Sequence, residues 1–246
     1  CKVPLSYIFT RGQGIKVASI VSYYSDKLKF RIPTLIKEDS NEGYEGAIVL
    51  DPKPAGIYQD EPICVLDFAS LYPSCIIEEN MCPSTLISND EYIHKNKGSY
   101  NKITYDNYIY EKKGSTMIKK LDENEPSRTC YFQSNQTQWN ESKQKYEIIP
   151  ESMAVIPLTL NTLLSARSAT KQRLKKESNE DKKKVLDGLQ LSYKVVANSV
   201  YGQLGGKNSM IYKKDVAACT TCTGRNRIQN AIDGVYEWSK KMNFVN

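Results

Sequence analysis

The chain has 246 residues, enough to bury a hydrophobic core in one large domain or two small ones. Hydrophobic residues make up 40% and charged residues 25% of it, the balance typical of a soluble globular protein. No apolar run approaches the roughly 18 residues of a membrane span, so we expect no membrane partner.

The net charge of +6 is concentrated in one segment. Between Ser165 and Lys184 there are eight basic and three acidic residues, which gives this stretch a net charge of +5. Such a patch indicates a polyanionic partner, although a solvated helix face has the same composition. The seven scattered cysteines indicate free thiols in a reducing, intracellular compartment, and the Cys219–Cys222 pair favours two ordinary thiols over a metal site.

The first third of the chain has the signals of short strands and turns. Ile15–Tyr24 and Ala47–Leu50 are rich in β-branched residues, and Ile63–Leu66 reads as a buried strand. A helix is then predicted from Ser70 to about residue 80, with Ser70 as its N-cap and Pro73 in its first turn.

The rest of the chain separates into an irregular part and a helical part. Residues 89–147 are rich in Asn, Lys and Tyr without a sustained period, which predicts hairpins and loops. From Pro157 the apolar period is helical, and a polar turn near Asn179 predicts an antiparallel helical hairpin. A last helix is predicted over about Cys222–Met242.

The hairpin carries cations on two helix faces. Arg167 and Lys171 are four residues apart, and Lys194, Asn198 and Tyr201 follow the same helical spacing. At 1.5 Å per residue, Arg167 lies roughly 18 Å and Lys194 roughly 22 Å from the turn. If the two faces point the same way, they line one site of the size of a polyphosphate. The alternative is a pair of helices that present cations to water.

Asp67 follows the predicted buried strand directly. A carboxylate at such a strand end is held rigidly and can bind a hard cation. The turn after it, from Phe68 to Tyr72, leaves backbone N–H groups free for an anion. The simpler alternative is that Asp67 caps the turn.

Five stretches of the sequence are long enough to compare with known motifs: DFASLYPSCIIEENMCPSTL (67–86), KVVANSVYG (194–202), LLSARSATK (163–171), GYEGA (43–47) and VPLSYIFTRGQGIKV (3–17). They resemble motifs of family B DNA polymerases, especially the delta-type enzymes and those of large DNA viruses. The first two resemble the polymerase motifs DxxSLYPS and KxxxNSxYG, and the others resemble the fingers, the element before the polymerase part and the segment upstream of it.

The resemblance implies an α+β fold. Residues 1–88 and 207–246 would form a palm of antiparallel sheet with helices, and 151–206 the helical-hairpin fingers. Residues 89–150 would be a peripheral insertion.

The resemblance also implies a role for each matched residue. Asp67 and the Phe68 carbonyl would bind two Mg²⁺ ions, and the Ser70 and Leu71 amides would hold the triphosphate of a dNTP. Tyr72 would lie under its deoxyribose. The other implied contacts are Arg167, Lys171, Lys194 and Asn198 on the phosphates, Tyr201 and Gly202 at the nascent base pair and template, and Tyr44 and Gly46 on DNA.

The activity implied is that of a DNA-directed DNA polymerase that extends a primer on a DNA template. Its partners would be primer–template DNA, dNTPs, a sliding clamp and accessory subunits, in the nucleus or a viral replication compartment. The third motif, YGDTDS, which carries the other metal carboxylate, is absent from the sequence, as is an exonuclease motif. We therefore expect a fragment that is inactive alone.

Three rival functions remain open at this point. The first is a non-catalytic nucleic-acid-binding module, and the second a degenerate, structural polymerase-like subunit. The third is a different metal-dependent phosphotransferase, although the Tyr after Ser-Leu argues against it.

Overall fold

The computed structural model describes residues 2–33, 42–48, 56, 65–87, 99–113 and 116–242. The helices are α1 (Leu5–Thr10), α2 (Gln13–Lys27), α3 (Leu71–Glu78), α4 (Val155–Lys176), α5 (Glu180–Gly205) and α6 (Lys214–Lys241). The strands are β1 (Glu42–Tyr44), β2 (Tyr100–Lys113), β3 (Thr116–Leu121), β4 (Ser127–Gln133), β5 (Thr137–Asn140) and β6 (Lys145–Ile148), and a 3-10 turn spans Pro150–Ser152. The expected α+β class is confirmed.

The main sheet is organised around the long strand β2. All its strand pairs are antiparallel: β1 and β3 flank the second half of β2, and β4 pairs with the first half. In the register, Tyr44 lies opposite Asn107 and Ile103 opposite Cys130. β5 and β6 form a separate hairpin. The hairpins expected within 89–147 are therefore confirmed for the described residues.

The sheet contributes to the central core. Burial alternates along β2, where Ile103 and Tyr105 point inward, as the two-residue period of a strand requires. Tyr105 and Phe132 are 2% and 0% exposed and belong to the same apolar cluster as the helices. Part of segment 89–150, which was expected to be a peripheral insertion, therefore belongs to the core. The domain boundaries remain a prediction.

Helices α4 and α5 form the expected antiparallel hairpin. The turn between them spans only residues 177–179, and the Asn179 side chain accepts a hydrogen bond from the Lys182 amide at 3.0 Å, which caps α5. Leu160 and Leu163 on α4, with Val200 and Leu204 on α5, are buried in the core. The base of the hairpin is therefore anchored, while its basic turn projects into solvent.

The strand predicted at Ile15–Tyr24 is wrong, because these residues belong to helix α2. Val17, Ile20 and Val21 are buried, and this spacing is that of one helix face. The helix packs on α4 and α5. The β-branched content of this segment predicted a strand, but the burial of one helix face outweighs that local propensity.

Two further expectations differ from the structure. A buried strand was predicted at Ile63–Leu66, of which the structure describes Val65 and Leu66. These two residues are in no strand and are 87% and 76% exposed, so the prediction is wrong for them. Both side chains lack a neighbouring strand among the described residues. Ala47 and Ile48 are also in no strand, and residues 49, 50, 63 and 64 lie outside the described ranges.

Helix α6 begins at Lys214, eight residues before the predicted start near Cys222. Its first turns are buried among the other helices and the sheet, and both Cys219 and Cys222 lie in this core. No helix in the described ranges is long and apolar enough to cross a lipid bilayer.

Candidate functional site

A cleft of about 520 Å³ lies between the Asp67 turn and the helical hairpin. Its lining residues are Asp67, Phe68, Ala69, Ser70, Leu71, Tyr72, Pro73, Arg167, Lys171, Lys194 and Asn198. The structure thus brings together all nine residues that the sequence assigned to metal and nucleotide. They come from two segments about a hundred residues apart.

The turn after Asp67 has a constrained backbone. Ser70 has φ 61° and ψ 54°, the left-handed conformation that costs a non-glycine residue roughly 1–2 kcal/mol. Ser70 occupies the N-cap position of α3, as predicted, but its side chain accepts no hydrogen bond from the helix. The left-handed turn instead starts α3 at Leu71 at the cleft wall. The first N–H groups of a helix have no partner inside it, so this end of α3 is electropositive.

Cations form the opposite wall of the cleft. Arg167 and Lys171 come from α4, and Lys194 and Asn198 from α5, as the two helical spacings predicted. The Arg167 Nε donates a hydrogen bond to the Gln190 Oε1 at 3.3 Å, which links the two helices at the cleft. Sequence reasoning missed Gln190, although its position four residues before Lys194 places it on the same face of α5.

The charge balance of the cleft favours an anion. Three cationic side chains and one carboxylate, that of the exposed Asp67, line the cleft. Among the described residues no group of three or more His, Cys, Asp and Glu side chains could hold a metal ion. Mg²⁺ usually takes one or two protein carboxylates, with phosphate oxygens and water as its other ligands. Asp67 fits the protein part of such a site when an anion occupies the cleft.

Tyrosine side chains continue from this cleft into a second one. The rings of Tyr72 and Tyr201 are 4.6 Å apart between centroids and inclined by 36°. Burial and a hydrogen bond with Tyr44 raise the pKa of Tyr201. Burial likewise raises the pKa of Tyr72. Both hydroxyls therefore stay protonated near neutral pH and remain hydrogen-bond donors.

The second cleft has a volume of about 410 Å³. Tyr44, Gly46 and Tyr201 line it, together with Lys119 and Lys207. Three of the four residues assigned to DNA or to the base pair therefore meet here. Gly202, the fourth, is exposed, and a Cβ there would meet no described atom within 4 Å. Packing within the described chain does not explain this glycine, and its role at the template stays a prediction.

Arg225 fixes the backbone beside Tyr44. Its guanidinium donates to the Gly46 carbonyl at 2.8 Å and the Glu45 carbonyl at 3.2 Å, and it pairs with the Glu45 carboxylate at 2.7 Å. Sequence reasoning missed this residue, because Arg225 follows Gly46 by 179 positions. No local pattern signals a contact over such a separation.

Comparison with known proteins shows the family to which the chain is similar. The family model described as DNA polymerase family B matches residues 3–245. The DNA polymerase of Pyramimonas orientalis virus is 38% identical over 279 residues, covering 94% of this chain and 21% of the viral protein. The DNA polymerase delta catalytic subunit of Candida albicans is 34% identical over 241 residues, covering 98% of this chain and 20% of that protein.

A solved structure has the same fold. It is the family B DNA polymerase from the hyperthermophilic archaeon Pyrobaculum calidifontis, with a TM-score of 0.57 and 23% identity. The match covers 96% of this chain and 25% of that one. The chain thus spans about a fifth of the curated relatives' length and a quarter of the archaeal chain. Its match to the family model runs through nearly every residue, and the chain belongs to DNA polymerase family B.

Proposed function

We propose that this chain forms the nucleotide-binding part of a DNA-directed DNA polymerase that acts in DNA replication. The enzyme would add dNTPs to the 3′ end of a primer on a DNA template. The observation that carries the proposal is the first cleft, in which one carboxylate, a helix start and three cations surround a space of about 520 Å³. The names of the relatives support the same activity.

The cations of the hairpin suit the triphosphate tail. Arg167, Lys171 and Lys194 would neutralise the β- and γ-phosphates, and Arg167 can hold two oxygens at once. Asn198 would donate a further hydrogen bond. The hairpin would close over the correct nucleotide, so that binding of the right substrate completes the site.

The opposite wall suits the sugar and the inner phosphates. The Ser70 and Leu71 amides, at the start of α3, would bind phosphate oxygens. Tyr72 would lie under the deoxyribose, where its ring leaves no space for a 2′-hydroxyl. Tyr201 and Gly202 would flank the nascent base pair, and Tyr44 and Gly46 would contact the DNA in the second cleft.

Asp67 and the Phe68 carbonyl would hold two Mg²⁺ ions together with the nucleotide's phosphates. When bound, these ions lower the pKa of the primer 3′-hydroxyl and neutralise charge on the departing pyrophosphate. Two metals require a second carboxylate, and among the described residues Asp67 is the only acid that lines the cleft. We therefore propose that the second carboxylate lies outside the described residues, in keeping with the absence of a YGDTDS motif from the sequence, and that the chain catalyses no synthesis alone.

Primer–template DNA and dNTPs are the proposed partners, with a sliding clamp and accessory subunits. The proposed location is a reducing compartment, the nucleus or a site of viral replication. The names of the relatives support this, since one is viral and another is a delta catalytic subunit. The five described cysteines form no disulfide, which agrees with a reducing environment.

Primer extension in the full-length polymerase tests the proposal. Asp67→Ala should abolish extension with Mg²⁺, because the metals lose a protein ligand. Asp26→Ala, a change at an exposed carboxylate that lies 3.9 Å from the Lys29 ammonium, should leave extension unchanged. Extension that survives in Asp67→Ala, or DNA binding that falls with salt and ignores dNTPs, would instead support the non-catalytic binding module.

A further inference from the structure

A buried glycine of α6 lies directly against the ring of Tyr72. A Cβ on Gly224 would stand 2.8 Å from the Tyr72 Cε1 and 3.3 Å from its Cδ1. Real Cβ atoms do not approach other atoms so closely, so the ring would have to move. Glycine is among the weakest helix formers, and Gly224 sits in the middle of a helix of 28 residues. The close approach of the ring explains why the helix contains it.

The Tyr201 ring restricts where the Tyr72 ring could go, because the two pack together at 4.6 Å between ring centroids. The same Cβ on Gly224 would stand 3.6 Å from the Leu71 Cδ2, an ordinary contact distance, so the Tyr72 ring is the group that must move. The cleft is the open space beside the ring, because Tyr72 lines the cleft and Gly224 does not. A side chain at position 224 would therefore push the ring toward the cleft.

We propose that Gly224 is a positioning residue, which sets the depth of the sugar subsite by letting the Tyr72 ring recede against α6. The inference rests on the proposed function, in which the first cleft binds a deoxynucleotide above Tyr72. Gly224 itself touches no substrate. It acts through the ring, and its effect belongs to substrate binding more than to the chemical step.

A second glycine of the same helix provides a matched control. Gly234 is exposed on α6, and a Cβ there would meet no described atom within 4 Å. Gly224→Ala and Gly234→Ala thus make the same chemical change in the same helix, and they differ in the contact with Tyr72. Any general effect of alanine on the helix should appear in both variants.

The test is single-nucleotide insertion by the full-length polymerase, with dNTP concentration varied at saturating primer–template. Gly224→Ala should raise the KM for dNTP at least about fivefold, because overpacking of one carbon displaces the ring, while kcat stays within about twofold. Gly234→Ala should match the wild type in both constants. A loss confined to kcat in Gly224→Ala, or an unchanged KM, would overturn the inference.

The double variant with Tyr72→Ala separates positioning from packing. Once the ring is removed, Gly224→Ala should change the KM less than about twofold relative to Tyr72→Ala alone, since contacting residues are not additive. An equal effect in both backgrounds would contradict the inference. If Gly224→Ala does not fold, removal of the Tyr72 ring should restore folding in the double variant. A double variant that also fails to fold would contradict the inference.

The wild type serves to separate the two proposals. A wild-type polymerase that extends no primer contradicts the proposed function, and the inference falls with it. A wild type that extends primers normally, beside a Gly224→Ala variant with wild-type constants, contradicts only the role of Gly224.

Discussion

Arg167 is oriented by a neighbour on the other helix of the hairpin. Its Nε donates to the Gln190 Oε1, and the Gln190 Nε2 in turn donates to the Asp187 Oδ1 at 3.0 Å. This chain of hydrogen bonds uses one donor of the guanidinium, so its terminal NH₂ groups could make the proposed contacts with phosphate oxygens. A preoriented arginine loses less rotamer freedom when it binds.

The residue-scale prediction concerns this pair. Arg167→Ala should raise the nucleotide KM about 10- to 100-fold, because one or two charge-assisted hydrogen bonds are lost. Gln190→Ala should raise it less, by about two- to fivefold, since the cation remains but is no longer held. Arg173→Ala is the control, an exposed arginine of the same helix outside the cleft lining. An equal effect of Arg173→Ala would show that only general charge matters.

At the scale of elements, Asn80 joins three parts of the fold. It follows α3, is 1% exposed and has a left-handed φ of 52°, a conformation that asparagine adopts more readily than most residues. Its Nδ2 donates to the Gln133 carbonyl at 3.0 Å, and its Oδ1 accepts from the Ala154 amide at 2.9 Å. The end of α3, the end of β4 and the start of α4 thus share one side chain.

We expect Asn80→Ala to destabilise the fold by about 2–5 kcal/mol, because the buried Ala154 amide and the part-buried Gln133 carbonyl lose their partner. Alanine also tolerates the left-handed backbone less well. Asn230→Ala, at an exposed position of α6, should change stability by no more than about 0.5 kcal/mol. Urea denaturation followed by circular dichroism measures both. A small effect of Asn80→Ala would mean that water replaces its hydrogen bonds.

Sequence patterns were sufficient to predict some of the helices but not all of them. The α4–α5 hairpin was predicted correctly, because its period, its polar turn and the cap at Asn179 are all local signals. The segment that became α2 contains both β-branched residues and a helical stripe through Val17, Ile20 and Val21. Local propensity alone could not choose between them, and the surface of α4 and α5 decided.

For the whole molecule, one carboxylate links the sheet to the longest helix. Asp215, in the first turn of α6, accepts from the Tyr105 hydroxyl at 2.8 Å and from the Arg128 Nη1 at 3.2 Å. Lys213 lies 3.4 Å from its other oxygen. Burial would raise the pKa of Asp215, but the Tyr105 hydrogen bond and the charges of Lys213 and Arg128 outweigh it and lower the pKa below 3.8.

The lowered pKa of Asp215 predicts a loss of stability in acid. Because the pKa is lower in the folded state, its contribution is present above the unfolded value of 3.8 and is lost as pH falls through the folded value. Asp215→Asn should be less stable than wild type by roughly 2–4 kcal/mol at neutral pH. It should then lose less stability than wild type between roughly pH 5 and pH 3.

Denaturation midpoints across this pH range measure the effect. Asp26→Asn, at an exposed carboxylate, is the control and should follow the wild-type curve. Parallel curves for wild type and Asp215→Asn would show that other carboxylates cause the acid sensitivity.

Local patterns were enough to identify the residues of the first cleft and the hairpin that carries its cations. The cleft residues were identified by the resemblance of DFASLYPS to a family motif, and the hairpin by the four-residue spacing of Arg167 and Lys171 and by a polar turn. Such patterns can be recognised in a sequence because helix faces and tight turns are formed by residues that are close together in the chain.

The contacts that hold these residues in place depend on long-range packing. Gln190 on Arg167, Asn80 under Ala154, Arg225 at Gly46 and Gly224 behind Tyr72 are contacts between positions 23 to 179 residues apart. No local spacing encodes such pairs. They arise because the core brings α3, α6 and the hairpin to one place, and packing there fixes which side chains touch.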